Sequence, residues 1–129
     1  AQQLAIIKRM VKDLNMDLEI IGCPIVREED GLAKSSRNTY LNREERKAAL
    51  VLSKSLILAK EKLDAGCRDI EEVRNTIVEY IEKEPLARID YVKIVDMFTM
   101  QQVINFDNEV LIALAVFVGK TRLIDNMVY

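Results

Sequence analysis

Val110-Leu111-Ile112-Ala113-Leu114-Ala115-Val116-Phe117-Val118-Gly119-Lys120 is the stretch on which the fold turns. Its nine unbroken apolar residues, Val110 to Val118, are about half of the ~20 that a helix needs to cross a bilayer. With no polar alternation and many β-branched members, the run predicts a central strand buried on both faces. Gly119-Lys120 then predicts a two-residue turn of type II′, because glycine accepts the positive φ at its first position. That turn sends the chain back as a second strand, Thr121 to Tyr129.

Upstream, Ile89 to Val95 is again rich in β-branched residues and reads as a third strand. Before it the period is helical. Asn42 with Glu45 resembles a capping box, opening a helix that reaches about Ala65 with Ala49, Leu52, Leu56, Ala59 and Leu63 on its buried face. Gly66 is placed to stop it. Asp69 with Glu72 repeats the capping pattern for a helix striped by Ile70, Val73, Ile77 and Ile81, and Pro85 lies past its end. Helices followed by adjacent strands predict an α+β fold, helices packed on an antiparallel sheet.

The amino-terminal segment differs. Leu4, Ile7, Met10, Val11 and Leu14 recur at helical spacing opposite Lys8, Arg9, Lys12 and Asp13, an amphipathic helix. Leu18 to Cys23 reads as a short buried strand ended by Pro24. A helix leading into a buried strand suggests the final unit of an α/β sheet. The charged, turn-forming stretch Arg27 to Arg37, with its Asp30-Gly31 dipeptide, is the expected boundary.

Bulk properties narrow the function. The 129 residues suffice for one packed core, and 19 basic against 21 acidic residues give a net charge of −2, so no strong basic field points to nucleic acid. Cys23 and Cys67 match no metal-ligand spacing and are too few for a disulfide framework, which fits a reducing cytoplasm. Ala1-Gln2-Gln3-Leu4 has neither an initiator Met nor a basic leader, and reads as the middle of a longer chain. The sequence contains no histidine, the side chain most often used for proton transfer near neutral pH.

One segment suits an anion. In Asp30-Gly31-Leu32-Ala33-Lys34-Ser35-Ser36-Arg37-Asn38 two hydroxyls sit between two cations in a glycine-bearing loop. Ser35 and Ser36 can donate from hydroxyl and backbone, Arg37 offers a planar fork for two phosphate oxygens, and Lys34 is a movable charge. The same residues also suit a plain surface turn with Ser35, Ser36 and Asn38 shaping it. Gln2 and Gln3 could offer amide donors to a small ligand. The helix carboxylates read as solvated faces, and Asp90 and Asp96 as strand-end residues.

The string Gly22-Cys23-Pro24-Ile25-Val26-Arg27-Glu28-Glu29-Asp30-Gly31-Leu32-Ala33-Lys34-Ser35-Ser36-Arg37-Asn38-Thr39-Tyr40-Leu41 closely resembles a stretch of the pantothenate synthetase (pantoate–β-alanine ligase) family. Gln2-Gln3-Leu4, Arg9-Met10-Val11 and Asp13-Leu14 are similar to the family's helix after its Lys-Asp pair. Asp90-Tyr91-Val92, Val95-Asp96 and Thr121-Arg122-Leu123-Ile124-Asp125-Asn126 are similar to its closing strands, so the resemblance spans the chain. It implies an ATP-dependent ligase in which the pantoate carboxylate attacks the α-phosphate of ATP, and β-alanine then displaces AMP from pantoyl adenylate.

By the same resemblance, residues 1–25 are the last helix and strand of a Rossmann-like nucleotide-binding domain and 26–129 a lid domain. Lys34, Ser35, Ser36 and Arg37 close over ATP, the Val26 backbone meets the adenine, and Gln3 binds pantoate. At Lys34 the family often carries Met or Leu, which points to a backbone contact there. ATP is a substrate accompanied by Mg2+, with no tightly bound cofactor. No catalytic residue and no metal ligand falls in this chain, and the parent is expected to be a cytoplasmic homodimer in the coenzyme A pathway, with no nucleic acid or membrane as partner. The family's His-x-Gly-His motif, second pantoate glutamine and Lys-Asp pair are absent from this sequence, so the chain alone is expected to be inactive. Independently of the resemblance, a stand-alone interaction module docking through Leu4, Ile7, Val11 and Leu14, or a phosphate-binding module, remains open.

Overall fold

The structure, a computed structural model, describes residues 1–106 and 108–129. Among the described residues four α-helices precede three strands: α1 (Gln2–Asp13), α2 (Arg43–Ala49), α3 (Val51–Asp64), α4 (Ile70–Glu82), β1 (Ala87–Asp96), β2 (Val110–Val118) and β3 (Thr121–Val128), with a 3-10 turn at Ser36–Tyr40. The sheet is antiparallel in the order β1-β2-β3, and α3 and α4 pack together against one face of it. The architecture is α+β.

β2 became the central strand because it has no polar face to leave in water: Val110, Ile112, Leu114, Val116 and Val118 are fully buried. Across from them lie Leu52, Leu56 and Leu63 of α3 and Val73, Ile77 and Ile81 of α4. Each such side chain contributes about 1.5–3 kcal/mol by leaving water. The Gly119-Lys120 turn forms as expected, with φ +57° at Gly119 and Val118 paired with Thr121. A Cβ on Gly119 would displace the Glu45 carboxylate, and the positive φ itself favours glycine there.

Asn42 builds the full capping box: its side chain accepts from the N–H groups of Glu44 and Glu45 while Glu45 accepts from the Asn42 N–H. The helix it opens does not run unbroken to Ala65. At Leu50 the N–H reaches back three residues, to Lys47 at 3.3 Å, which interrupts the α-helical ladder for one residue and separates α2 from α3. The buried stripe continues through the break, with Ala49, Leu52, Leu56, Ala59 and Leu63 all in the core. At α4 half the expected box forms. Asp69 accepts from the Glu72 N–H, but the Glu72 carboxylate turns instead to Lys62, at 2.8 Å.

The strand expected at Leu18 to Cys23 is absent. A strand exists by pairing its N–H and C=O groups with a neighbour, and among the described residues none lies alongside this segment, whose Leu18 and Ile21 are exposed. The helix before it forms as expected, yet Ala5 is its sole buried residue, and Ile6, Met10 and Leu14 are exposed. A second departure is a bulge in β1, where the register with β2 shifts between Ile89 and Tyr91. Asp90 lies in it and is held by Arg122 Nε and Nη2, at 2.9 and 2.8 Å, from across β2. Bulges re-aim side chains in this way.

Candidate functional site

The loop singled out in the sequence is a small hairpin closed by a turn of 3-10 helix. Glu28 N–H donates to Leu32 O at 2.8 Å and Lys34 N–H to Val26 O at 2.9 Å. Gly31 turns the chain at φ +90°, a region that costs other residues, and Leu32 anchors the loop in the core. Ser35 caps the 3-10 turn, its Oγ accepting from the Arg37 N–H at 3.2 Å.

Asp30 ties the loop to α2. One carboxylate oxygen accepts from the Leu32 N–H at 3.2 Å and the other from Arg46, Nη2 at 2.9 Å. The Leu32 hydrogen bond first, opposed by desolvation and reinforced by Arg46, holds this carboxyl below the usual aspartate value of 3.8. Lowered in the folded state, Asp30 adds stability that is fully present above pH 3.8 and is lost as pH falls through the lower folded value. The stability gap between the wild type and Asp30→Asn, measured by urea unfolding at a series of pH values, is therefore expected to be constant above about pH 5 and to close below the unfolded aspartate value. A gap that persists unchanged to about pH 2 would refute this.

Lys34, Ser35, Ser36 and Arg37 are all exposed on this short turn. Among the described residues, the Lys34 and Arg37 side chains make no hydrogen bond or ion pair within the protein, so both charges are free to meet a ligand. Beside them is a cleft of about 230 Å³, lined by Lys34, Ser35, Arg37 and Asn38 on one side and by Leu123, Ile124 and Asp125 of β3 on another. Val26 is exposed; its carbonyl serves Lys34 and its N–H has no partner among the described residues.

Gln3 is not part of that cleft. It sits exposed on the first turn of α1 and lines a second cleft of about 520 Å³ with Tyr91, Lys93 and Gln102. The two clefts share Ile124, Asp125 and Asn126 of β3, so a single strand edge separates the loop from Gln3.

Two features here had no signal in the residues themselves. Arg27 forks onto Asp125, 98 positions away, with Nη1 at 2.7 Å from Oδ2 and Nη2 at 3.0 Å from Oδ1, and Nη1 also donates to Gly31 O at 3.1 Å. Asn38 is buried, and its side-chain N–H donates to Ala33 O at 3.0 Å. Neither pairing follows from spacing, since one joins the two ends of the chain and the other closes a ring inside a loop. Cys23 and Cys67 are free thiols. No helix among the described residues is long and apolar enough to cross a membrane.

Fold and site together define an α+β module that carries a loop of hydroxyls and unpaired cations beside the edge strand of its sheet. The sequence model of the family described as pantoate-beta-alanine ligase matches residues 1–128, and the chain belongs to that family. The pantothenate synthetase of Ruminiclostridium cellulolyticum is 64% identical over 126 residues, 98% of this chain and 45% of the relative. That of Clostridioides difficile is 63% identical over 129 residues, all of this chain and 46% of the relative. The crystal structure of pantothenate synthetase from Thermus thermophilus matches with a TM-score of 0.89 at 39% identity, over 98% of this chain and 45% of that one. The pantoate-beta-alanine ligase of Francisella tularensis, crystallised with Beta-gamma ATP and beta-alanine, matches with a TM-score of 0.58 at 31% identity, over 98% of this chain and 39% of that one. The chain thus spans less than half the length of these relatives.

Proposed function

We propose that this chain is the carboxyl-terminal part of an ATP-dependent ligase that joins pantoate to β-alanine. The pantoate carboxylate attacks the α-phosphate of ATP, pyrophosphate leaves, and the amine of β-alanine then displaces AMP from pantoyl adenylate to give pantothenate. The observation that carries this reading is the turn Lys34–Arg37, whose charges are uncommitted beside a cleft walled by the same strand that lines the Gln3 cleft. A nucleotide under the loop and an organic acid at Gln3 would meet across that strand.

The roles follow from the donor chemistry. Arg37 presents two parallel N–H groups to phosphate oxygens, while the Ser36 hydroxyl and the N–H groups at the start of the 3-10 turn supply neutral donors. Val26 offers its free N–H to the adenine, and Gln3 offers its amide to pantoate. Lys34, its N–H committed to Val26 O, has its carbonyl oxygen and its flexible side chain left to reach the nucleotide. These groups neutralise and orient phosphate; none is placed to move a proton. Mg2+ accompanies the phosphates of ATP, and among the described residues no group of three or more Asp, Glu or Cys side chains is gathered to hold it. Residues 1–25 then belong to a Rossmann-like nucleotide-binding domain and 26–129 form its lid, in a cytoplasmic homodimeric enzyme of the coenzyme A pathway. The exposed Ile6 and Met10 of α1, continued by Leu14 just past its end, support that division, since a helix of such a domain buries one face against its sheet.

The test is release of AMP and pyrophosphate by the full-length polypeptide that carries this segment. AMP that appears only when pantoate is added, and pantothenate only when β-alanine follows, is the expected outcome, with the isolated 129-residue chain silent. Absence of pantoate-dependent AMP from the folded full-length protein would refute the ligase reading. Saturable ATP binding by the isolated chain would instead favour a phosphate-binding module.

A further inference from the structure

Buried polar atoms in folded proteins almost always have a hydrogen-bond partner. Asn38 Oδ1 is buried and has none among the described residues. The residue is 8% exposed and lines the cleft beneath the loop with Ser35, Arg37 and Asp125. Its other amide atom is committed: Nδ2 donates to Ala33 O at 3.0 Å. That bond joins the residues on either side of Lys34, Ser35, Ser36 and Arg37, so the Asn38 amide fixes the ends of the segment assigned to phosphate. The segment is also held by the Lys34 N–H donating to Val26 O and by local bonds: the Asn38 N–H donates to Ser35 O, Ser35 Oγ accepts from the Arg37 N–H, and Thr39 Oγ1 donates to Ser36 O.

We propose, on the ligase reading above, that Asn38 is a positioning residue for nucleotide binding: its N–H sets the Lys34–Arg37 backbone, and its unpaired carbonyl gains a donor when the loop settles on ATP. A ligand that binds one arrangement of a loop better than another shifts the loop toward it by that difference in affinity. Here the difference includes a hydrogen bond that the ligand-free loop leaves unmade. Removing the amide should therefore weaken ATP selectively. It should lower the stability of the ligand-free protein only modestly, because the lost bond to Ala33 O is offset in part by removal of the unpaired Oδ1.

The experiment compares wild type with Asn38→Ala and Asn38→Asp in the full-length polypeptide, measuring KM for ATP, KM for pantoate, kcat and the thermal midpoint. A rise of about tenfold in KM for ATP, with KM for pantoate within about twofold and the midpoint little moved, is expected for Asn38→Ala; Asn38→Asp should show the same ATP-selective rise together with a lowered midpoint, because it buries a carboxylate against the Ala33 carbonyl. Asn38→Asp preserves the shape and the acceptor while its ionised form cannot donate to Ala33. Unchanged KM for ATP, an equal rise in both KM values, or a lowered midpoint with both KM values intact would each overturn the proposal. Hydrogen exchange on the wild type provides a test that needs no variant: the Lys34 to Asn38 amides should become at least about tenfold better protected when ATP is added, and unchanged protection would refute the settling of the loop. A wild type that makes no AMP from ATP and pantoate defeats the ligase reading itself, whereas an active wild type with an indifferent Asn38→Ala defeats this inference alone.

Discussion

Replacing Arg27 by alanine is expected to lower stability by about 3 kcal/mol, roughly twice the cost of Asp125→Asn. The asymmetry comes from which partner is left behind. Asp125 has 2% of its side chain exposed and Arg27 32%. Without Arg27, the carboxylate is stranded inside the protein with the Asn126 N–H, at 2.8 Å, as its remaining donor. Without the Asp125 charge, the guanidinium keeps its bond to Gly31 O and can turn its free edge to water. Removing both charges in Arg27→Met/Asp125→Leu should recover most of the loss, because a well-packed apolar pair avoids the desolvation cost of two ions. Urea unfolding of the four proteins measures the two losses and the recovery. If both single replacements cost less than about 1 kcal/mol, the pair contributes no more than a surface ion pair and does not rivet the loop to β3.

That rivet shows where sequence reading reaches and where it stops. β2, the Gly119-Lys120 hairpin, the Asn42 capping box and the α4 stripe were all legible because each is set by neighbours within a few residues: unbroken apolarity, a glycine at a positive φ, an acceptor three residues before a donor. Leu18 to Cys23 carries the local marks of a strand and still forms none, since backbone pairing needs a second strand that no local pattern can supply. The bulge at Asp90 was hidden for a related reason. Its register depends on β2, and its side chain is claimed by Arg122 from β3. At the loop, residue types alone allowed a phosphate site but favoured a plain turn, and the resemblance to a ligase family was what raised Ser35, Ser36 and Arg37. Asn38 was read merely as a turn former, because its burial depends on how the 3-10 turn packs against β3.

If the proposed ligase activity holds, Arg37→Ala in the full-length polypeptide is expected to reduce kcat/KM for ATP by at least about 100-fold, whereas Lys34→Ala should reduce it by less than about threefold. Both side chains are cationic and exposed on the same turn, so a loop acting through net charge alone would make the two losses similar. Geometry separates them. Arg37 follows the Ser35 cap inside the 3-10 turn and has no protein acceptor among the described residues, so its fork is free and its backbone is fixed. Lys34 stands before that turn, its N–H already spent on Val26 O, and its charge rides on a flexible stem that gains little from a fixed backbone. Arg37→Lys supplies the deciding control. If it restores most of the activity, the loop works as a point charge; if it stays within about tenfold of Arg37→Ala, the planar two-point contact with phosphate is what the loop is built to hold.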